Sequence, residues 1–258
     1  MPMGTIVDRL FPPECPLCRA ETGVAFHLCP DCLRDTPMLT GPLCATCAAP
    51  VLVPEGAVGD GPLTCDDCLV LARPWRRGRA VFRYAASGRR IMLLLKHADR
   101  TDLARTLGPW LRRAAGPLLT PDTLVVPVPL HPRRLFRRRY NQAALLARAM
   151  GGPGPVAVDA LRRLRATPAL DHRGRDERFA LLEGVIAPAP DRRAALRGRD
   201  ILLVDDVMTT GATLAAATEA CLAAGAAGVD VLVCARVTKD EPEATGPRTP
   251  APRIADAI

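Results

Sequence analysis

ILLVDDVMTTGATL, residues 201–214, decides how the rest of the chain is read. ILLV is a continuous apolar run, the pattern of a strand covered on both faces of a parallel sheet. Asp205 and Asp206 stand at its carboxyl end, where open α/β sheets bind their ligands. Two adjacent carboxylates repel each other and need donors or a cation, and vicinal sugar hydroxyls are a matching pair of donors. Met208-Thr209-Thr210-Gly211-Ala212-Thr213 follows and opens a helix. Free N–H groups and the positive end of the helix dipole at such a turn suit a phosphate. Thr209, Thr210 and Thr213 add hydroxyl donors, and Gly211 lets the backbone come close. An ordinary capped turn needs one Asp and one Thr. Two Asp, three Thr and a Gly in one turn predict a loop for the ribose and phosphate of a sugar phosphate.

Working outward, apolar strands alternate with helical patterns. VFRY (81–84) reads as a short strand, and 87–115 as helical, in two pieces broken near Asp99. TLVVPVPL (123–130) reads as a buried strand running into a proline-rich loop, and 138–150 as an amphipathic helix. Residues 161–180 read as irregular or hairpin-like, followed by a short helical stretch. Residues 211–225 form a helix closed by Gly225, and VDVLVCARV (229–237) a further strand. This alternation predicts an α/β fold with a doubly wound parallel sheet over 80–237. The tail, 238–258, has no pattern and is expected to be disordered.

Residues 1–72 differ. They are short segments with little apolar periodicity, and such a segment needs a staple. Cysteine supplies one: Cys15/Cys18, Cys29/Cys32, Cys44/Cys47 and Cys65/Cys68 are four C-x-x-C pairs. With 10, 11 and 17 residues between pairs, they suit two tetrahedral Cys₄ zinc sites in a double zinc ribbon. Sequential pairing is preferred, and crossed pairing stays open. A redox C-x-x-C would want a helix start in a thioredoxin-like unit, and none is visible. Cys221 and Cys234, alone in apolar patterns, read as core thiols.

The net charge of +8 is unevenly placed. Residues 1–70 hold three arginines against nine acids, so attraction for phosphate or nucleic acid belongs to the remainder. Of 35 cationic residues only Lys96 and Lys239 are lysines. Against that background Lys96 is conspicuous, since arginine is supplied wherever any cation would do. No apolar run is long enough to span a membrane and no secretory signal is apparent, so a cytoplasmic protein is expected.

The 201–214 stretch resembles the signature of type I phosphoribosyltransferases: four apolar residues, two acids, a variable pair, Thr-Gly and Thr. That resemblance implies that Asp205 and Asp206 hold the ribose hydroxyls of phosphoribosyl pyrophosphate and act at the catalytic centre. Residues 209–213 (Thr209, Thr210, Gly211, Ala212 and Thr213) would hold its 5-phosphate, with Mg²⁺ on the pyrophosphate. VVPVPLHPRR (125–134) resembles the pyrophosphate loop, with Arg133 and Arg134 as donors. Taken with the cysteine pairs, IMLLLKH (91–97), Asn141-Gln142-Ala143 and the Thr-Pro- and Arg-containing hood at 167–186, nearly the whole chain resembles the ComF family of competence proteins. Lys96 and Asn141 gain weight as ligand residues from it. The chain departs from the family at Arg139 and Tyr140, where Gly and Phe are expected, and at Leu170 and Leu181 in the hood, where Gln and Asn are expected.

Two functions follow. One is an enzyme using phosphoribosyl pyrophosphate, although no base or amine pocket is recognisable. The other is a module that senses this ligand without turnover, or an adaptor holding single-stranded DNA on the Arg-rich 133–178 region. In either case the ribbons would dock on competence partners. Only nine aromatic residues are available for base stacking, so phosphate contacts would dominate DNA binding.

Overall fold

The computed structural model describes residues 11–54, 61–97, 100–166 and 175–238. The expected tail, residues 239–258, and the hood positions 167–174, Leu170 among them, lie outside the described residues. The central sheet has the order β1 (Gly78–Arg83), β6 (Gly228–Arg236), β5 (Asp200–Met208) and β2 (Leu124–Pro127), every pairing parallel. Its apolar runs are continuous because both faces are covered. Along β5, Ile201 and Leu203 enter one core layer while Leu202 and Val204 enter the other. On β6, Val231 and Val233 face the first layer, and Leu232 and Cys234 the second. Cys221 and Cys234 are fully buried thiols.

Helices α3 (Ala86–His97), α4 (Leu103–Ala115) and α6 (Gln142–Met150) supply the second layer, with Leu95, Leu107, Leu111 and Leu146 fully buried. The break expected near Asp99 falls between α3 and α4. The first layer is closed by α9 (Ala212–Ala223). Against α9 packs a small lobe: the antiparallel pair β3 (Leu161–Arg163) and β4 (Ile186–Pro188), with α7 (Arg175–Leu182). Leu182 and Val185 anchor it in the core.

Local expectations shift at three places. Strand β1 starts at Gly78 rather than residue 81. Residues 131–137, expected as a proline-rich loop before a helix at 138–150, lie largely in helix α5 (Pro132–Arg138), with Pro132 in the first turn where its missing N–H costs nothing, and the next helix starts only at Gln142. Strand β5 runs to Met208, so the acid pair lies within its last turns of pleat and not beyond them.

The amino-terminal region is two copies of one unit. In each, a knuckle closed by a left-handed residue (Arg19, φ 65°; Ala48, φ 57°) precedes a one-turn helix starting at the next pair: α1 (Pro30–Arg34) after Cys29, α2 (Asp66–Val70) after Cys65. Backbone hydrogen bonds tie this region to the central sheet. Leu39 N–H donates to Val81 O and Arg83 N–H to Pro37 O, adding residues 37–39 to the free edge of β1. Gly78 N–H donates to Ala45 O, and a Cβ on Gly78 would sit 2.2 Å from Thr46 O, so glycine is required for this contact. Among the described residues no helix is long and apolar enough to cross a membrane.

Candidate functional site

Pleating sends Asp205 and Asp206 to opposite faces of the sheet. Asp206 meets the α3 side, where Lys96 Nζ lies 3.2 Å from its carboxylate, both side chains mostly buried. Arg138 of α5 adds positive potential there; its own pKa is lowered because burial outweighs the attraction of Asp206. Asp205 faces the small lobe, where Arg163 of β3 lies close enough to favour its ionised form. Burial, then the Asp206 charge, push the Asp205 carboxyl up to about 7, against the pull of the Asp206 N–H, Lys96 and Arg163. That N–H donates to Asp205 Oδ1 at 2.8 Å. Arg134 crowds Arg163 and, with burial, lowers its pKa. Two acids therefore straddle the carboxyl edge of β5 within a ring of cations.

Beyond Met208 the chain turns through Thr209 and Thr210 into α9. Gly211, the residue before the helix, has φ 84°, a conformation that a side chain strains. A small pocket is walled by Asp205, residues 207–214 and Arg178 of α7, whose guanidinium donates to Thr209 Oγ1 at 3.1 Å. Residues 212–214 of the first turn of α9 line it, so an oxyanion of phosphate size there meets a helix start, threonine hydroxyls and a guanidinium.

The residues singled out from sequence are distributed unevenly. Asp205, Asp206, Lys96 and 209–213 converge at one edge. Lys96 pairs with Asp206 rather than standing free. Arg134 reaches the cation ring, whereas Arg133 is exposed on the first turn of α5. Asn141 uses its whole amide in the scaffold: Oδ1 accepts from Ala143 N–H at 3.0 Å, capping α6, and Nδ2 donates to Val128 O at 3.0 Å. That makes it a strut between β2 and α6. Tyr140, at the position where Phe was expected, donates to Leu95 O at 2.6 Å and ties the same strut to the helix carrying Lys96. Leu181 lies on α7, in the lobe facing the site. Arg138, Arg163 and Arg178 were missed because arginine is everywhere in the sequence; a buried one looks like any other.

The eight paired cysteines form two groups, Cys15/Cys18/Cys29/Cys32 and Cys44/Cys47/Cys65/Cys68, with all sulfurs of a group within 4.8 Å of one another. Cys18–Cys29 and Cys47–Cys65 are each 3.5 Å apart. A tetrahedral zinc with Zn–S bonds of about 2.3 Å holds its sulfurs roughly 3.8 Å apart, so both groups fit a structural Cys₄ zinc site. Pairing is sequential, first pair with second and third with fourth, which closes the crossed alternative.

These features define a protein class: a double zinc ribbon joined to a type I phosphoribosyltransferase fold. Residues 6–69 match the double zinc ribbon domain and residues 155–249 the phosphoribosyl transferase domain. The DNA utilization protein YhgH of Salmonella typhimurium is 31% identical over 230 residues, covering 85% of this chain and 95% of its own. The protein of the same name from Escherichia coli K12 has the same identity and coverage. A hypoxanthine phosphoribosyltransferase from Staphylococcus aureus aligns with 56% of this chain and 69% of its own, at 15% identity and a TM-score of 0.30. The chain belongs to the ComF family, with the YhgH proteins among its relatives.

Proposed function

We propose that this protein binds phosphoribosyl pyrophosphate with Mg²⁺ at the carboxyl edge of β5. The observation that carries the reading is the junction of an acid pair on β5 with a phosphate-sized loop that directly follows the strand. Asp205 and Asp206 would accept from the ribose hydroxyls, and residues 209–213 with Arg178 would hold the 5-phosphate. Lys96, Arg134, Arg138 and Arg163 supply the positive potential that a pyrophosphate needs. Mg²⁺, bound through the pyrophosphate, would neutralise the leaving charge in any displacement at the sugar carbon. The altered hood favours binding over turnover. Thermal shift with phosphoribosyl pyrophosphate and Mg²⁺ tests the reading: wild type should be stabilised, and the Asp205→Asn/Asp206→Asn double variant much less. No shift in wild type refutes it.

A second reading concerns DNA. The relatives are named for DNA utilization. Helix α5 carries Arg133, Arg134, Arg137 and Arg138, with Arg139 following and Phe136 91% exposed among them. One free ring flanked by guanidinium groups suits a single strand, through phosphate contacts plus a single stack. A role in handling transforming DNA in the cytoplasm, with the ribbons docking a competence partner, accords with this. Leu69 and Val70 beside the second cysteine group are 70% and 86% exposed, apolar surface of the kind a partner covers. Affinity for a labelled oligonucleotide should fall steeply with salt, and a flat response would sink the DNA reading.

A further inference from the structure

We infer that the second cysteine group is part of the phosphate loop's machinery, with Arg236, Arg73 and Trp75 as positioning residues. Metal held at Cys44/Cys47/Cys65/Cys68 thereby sets the loop's conformation and its affinity for a phosphoryl ligand. The affinity half of this inference rests on the phosphate-binding reading above; the conformational half does not.

Three contacts tie the knuckle to the loop. Arg236, the last residue of β6, is 4% exposed. Its Nε donates to Cys47 O at 3.1 Å, and its second amino group lies 3.9 Å from Cys47 Sγ. Its remaining amino group donates to Met208 O at 3.2 Å, to Thr209 O at 2.7 Å and to Val237 O. Arg73 lies beside the Cys68 thiol and donates to Thr210 O at 2.6 Å. Trp75, 3% exposed, donates its indole N–H to Thr46 O at 2.7 Å. The far edge of its ring closes the space at Gly211, where a Cβ would meet it at 2.9 Å.

The geometry says what these contacts accomplish. In a trans peptide the carbonyl and the following N–H point in opposite directions. Drawing Thr209 O and Thr210 O toward the ribbon therefore turns the N–H groups of Thr210 and Gly211 the other way, toward the pocket. The charge balance says why metal matters. A buried guanidinium needs a counter-charge, and among the described residues Arg236 has no carboxylate partner; it meets carbonyls and a cysteine sulfur. Four thiolates around one divalent ion carry a net charge of about −2, which supplies the missing negative charge next to it. Emptying the site removes that charge and frees the knuckle carbonyls of Thr46 and Cys47. The first cysteine group is the internal control. Its neighbourhood is held by Arg90, donating to Leu17 O, and by Ser87, donating to Asp35, both on α3, and neither contact reaches residues 208–211.

The test uses the full zinc-loaded chain, with Arg236→Gln, the milder Arg73→Gln, and one cysteine variant per group, Cys18→Ser and Cys68→Ser. Hydrogen exchange on peptides covering 205–214 is measured without ligand, and affinity for phosphoribosyl pyrophosphate with Mg²⁺ is measured by calorimetry. Loop exchange should rise in Arg236→Gln, Arg73→Gln and Cys68→Ser, with peptides of α4 and α6 unchanged. Affinity should fall about tenfold with loss of a charge-assisted hydrogen bond. Cys18→Ser should leave the loop as protected as in wild type. If Arg236→Gln does not fold, Arg73→Gln and the two cysteine variants decide. Equal loop exchange in Cys18→Ser and Cys68→Ser, or no change in Arg73→Gln, overturns the inference. If wild type itself binds no ligand, the phosphate-binding reading fails while the exchange comparison still decides the coupling.

Discussion

Asp205 is the most informative group to perturb. Its carboxyl titrates near 7 in the folded protein, raised chiefly by burial and then by Asp206. In the unfolded chain it titrates near 3.8. Because the folded value is raised, the native state holds a proton that the unfolded state has already released. Stability is therefore lost as pH rises from about 4 to about 7, and the penalty is complete above that. The linkage slope is ~1.36 kcal/mol per pH unit at about pH 5.5, halves by about 7 and vanishes above it, so about 2 kcal/mol disappears between about pH 5.5 and 8.5. Asn at position 205 cannot ionise and keeps an oxygen for the Asp206 N–H. Urea unfolding of wild type and Asp205→Asn at several pH values from about 5.5 to 8.5, with zinc bound, should show the variant gaining on wild type by about 2 kcal/mol across that window. A difference independent of pH, or one that grows toward acid, would refute the assignment of a raised carboxyl here. The same titration predicts that ligands preferring the carboxylate release a proton on binding near neutral pH, readable by calorimetry in buffers of different ionisation enthalpy.

Other outcomes are expected from the same geometry. Lys96→Met leaves Asp206 without its 3.2 Å partner, and unfolding above neutral pH should show a loss of roughly 1–3 kcal/mol, largely recovered by adding Asp206→Asn. Gly211→Ala forces a side chain into φ 84° and against the Trp75 ring, costing about 1–2 kcal/mol from backbone strain alone and changing the emission of Trp75 in a Trp110→Phe background. Metal analysis should find about two zinc ions per chain, and chelation should lower the unfolding midpoint, since ribbons of this kind fold with their metal. A single zinc, or no change in the midpoint, would contradict the paired sites.

Much of the site could be read directly because its parts are neighbours in the chain. Strand, acid pair, Thr-Gly turn and helix occupy 201–214, and each leaves a local signature: an apolar run, adjacent charges, a residue that tolerates positive φ. The cysteine pairs are legible for the same reason, since C-x-x-C places two thiolates on one ion. The contacts that tie 70–80 to the rest of the fold were not legible, because Arg73 and Trp75 find their partners at Thr210 and Thr46, and no local pattern announces such contacts. The loop expected at 131–137 failed because proline at a helix start and proline in a loop look alike until the helix is seen.

The sequence by itself determined the fold class, the strand–turn–helix stretch at 201–214 and the eight clustered cysteines, because hydrophobic period and short-range spacing encode them. Only the tertiary structure decided how the cysteines pair, that Lys96 faces Asp206, that Asn141 braces β2 against α6, and which arginines are buried. Among 33 arginines nothing local separates Arg163 or Arg236 from a solvated one. Burial and the partner distinguish them, and for Arg236 that partner, Cys47, lies 189 residues away along the chain.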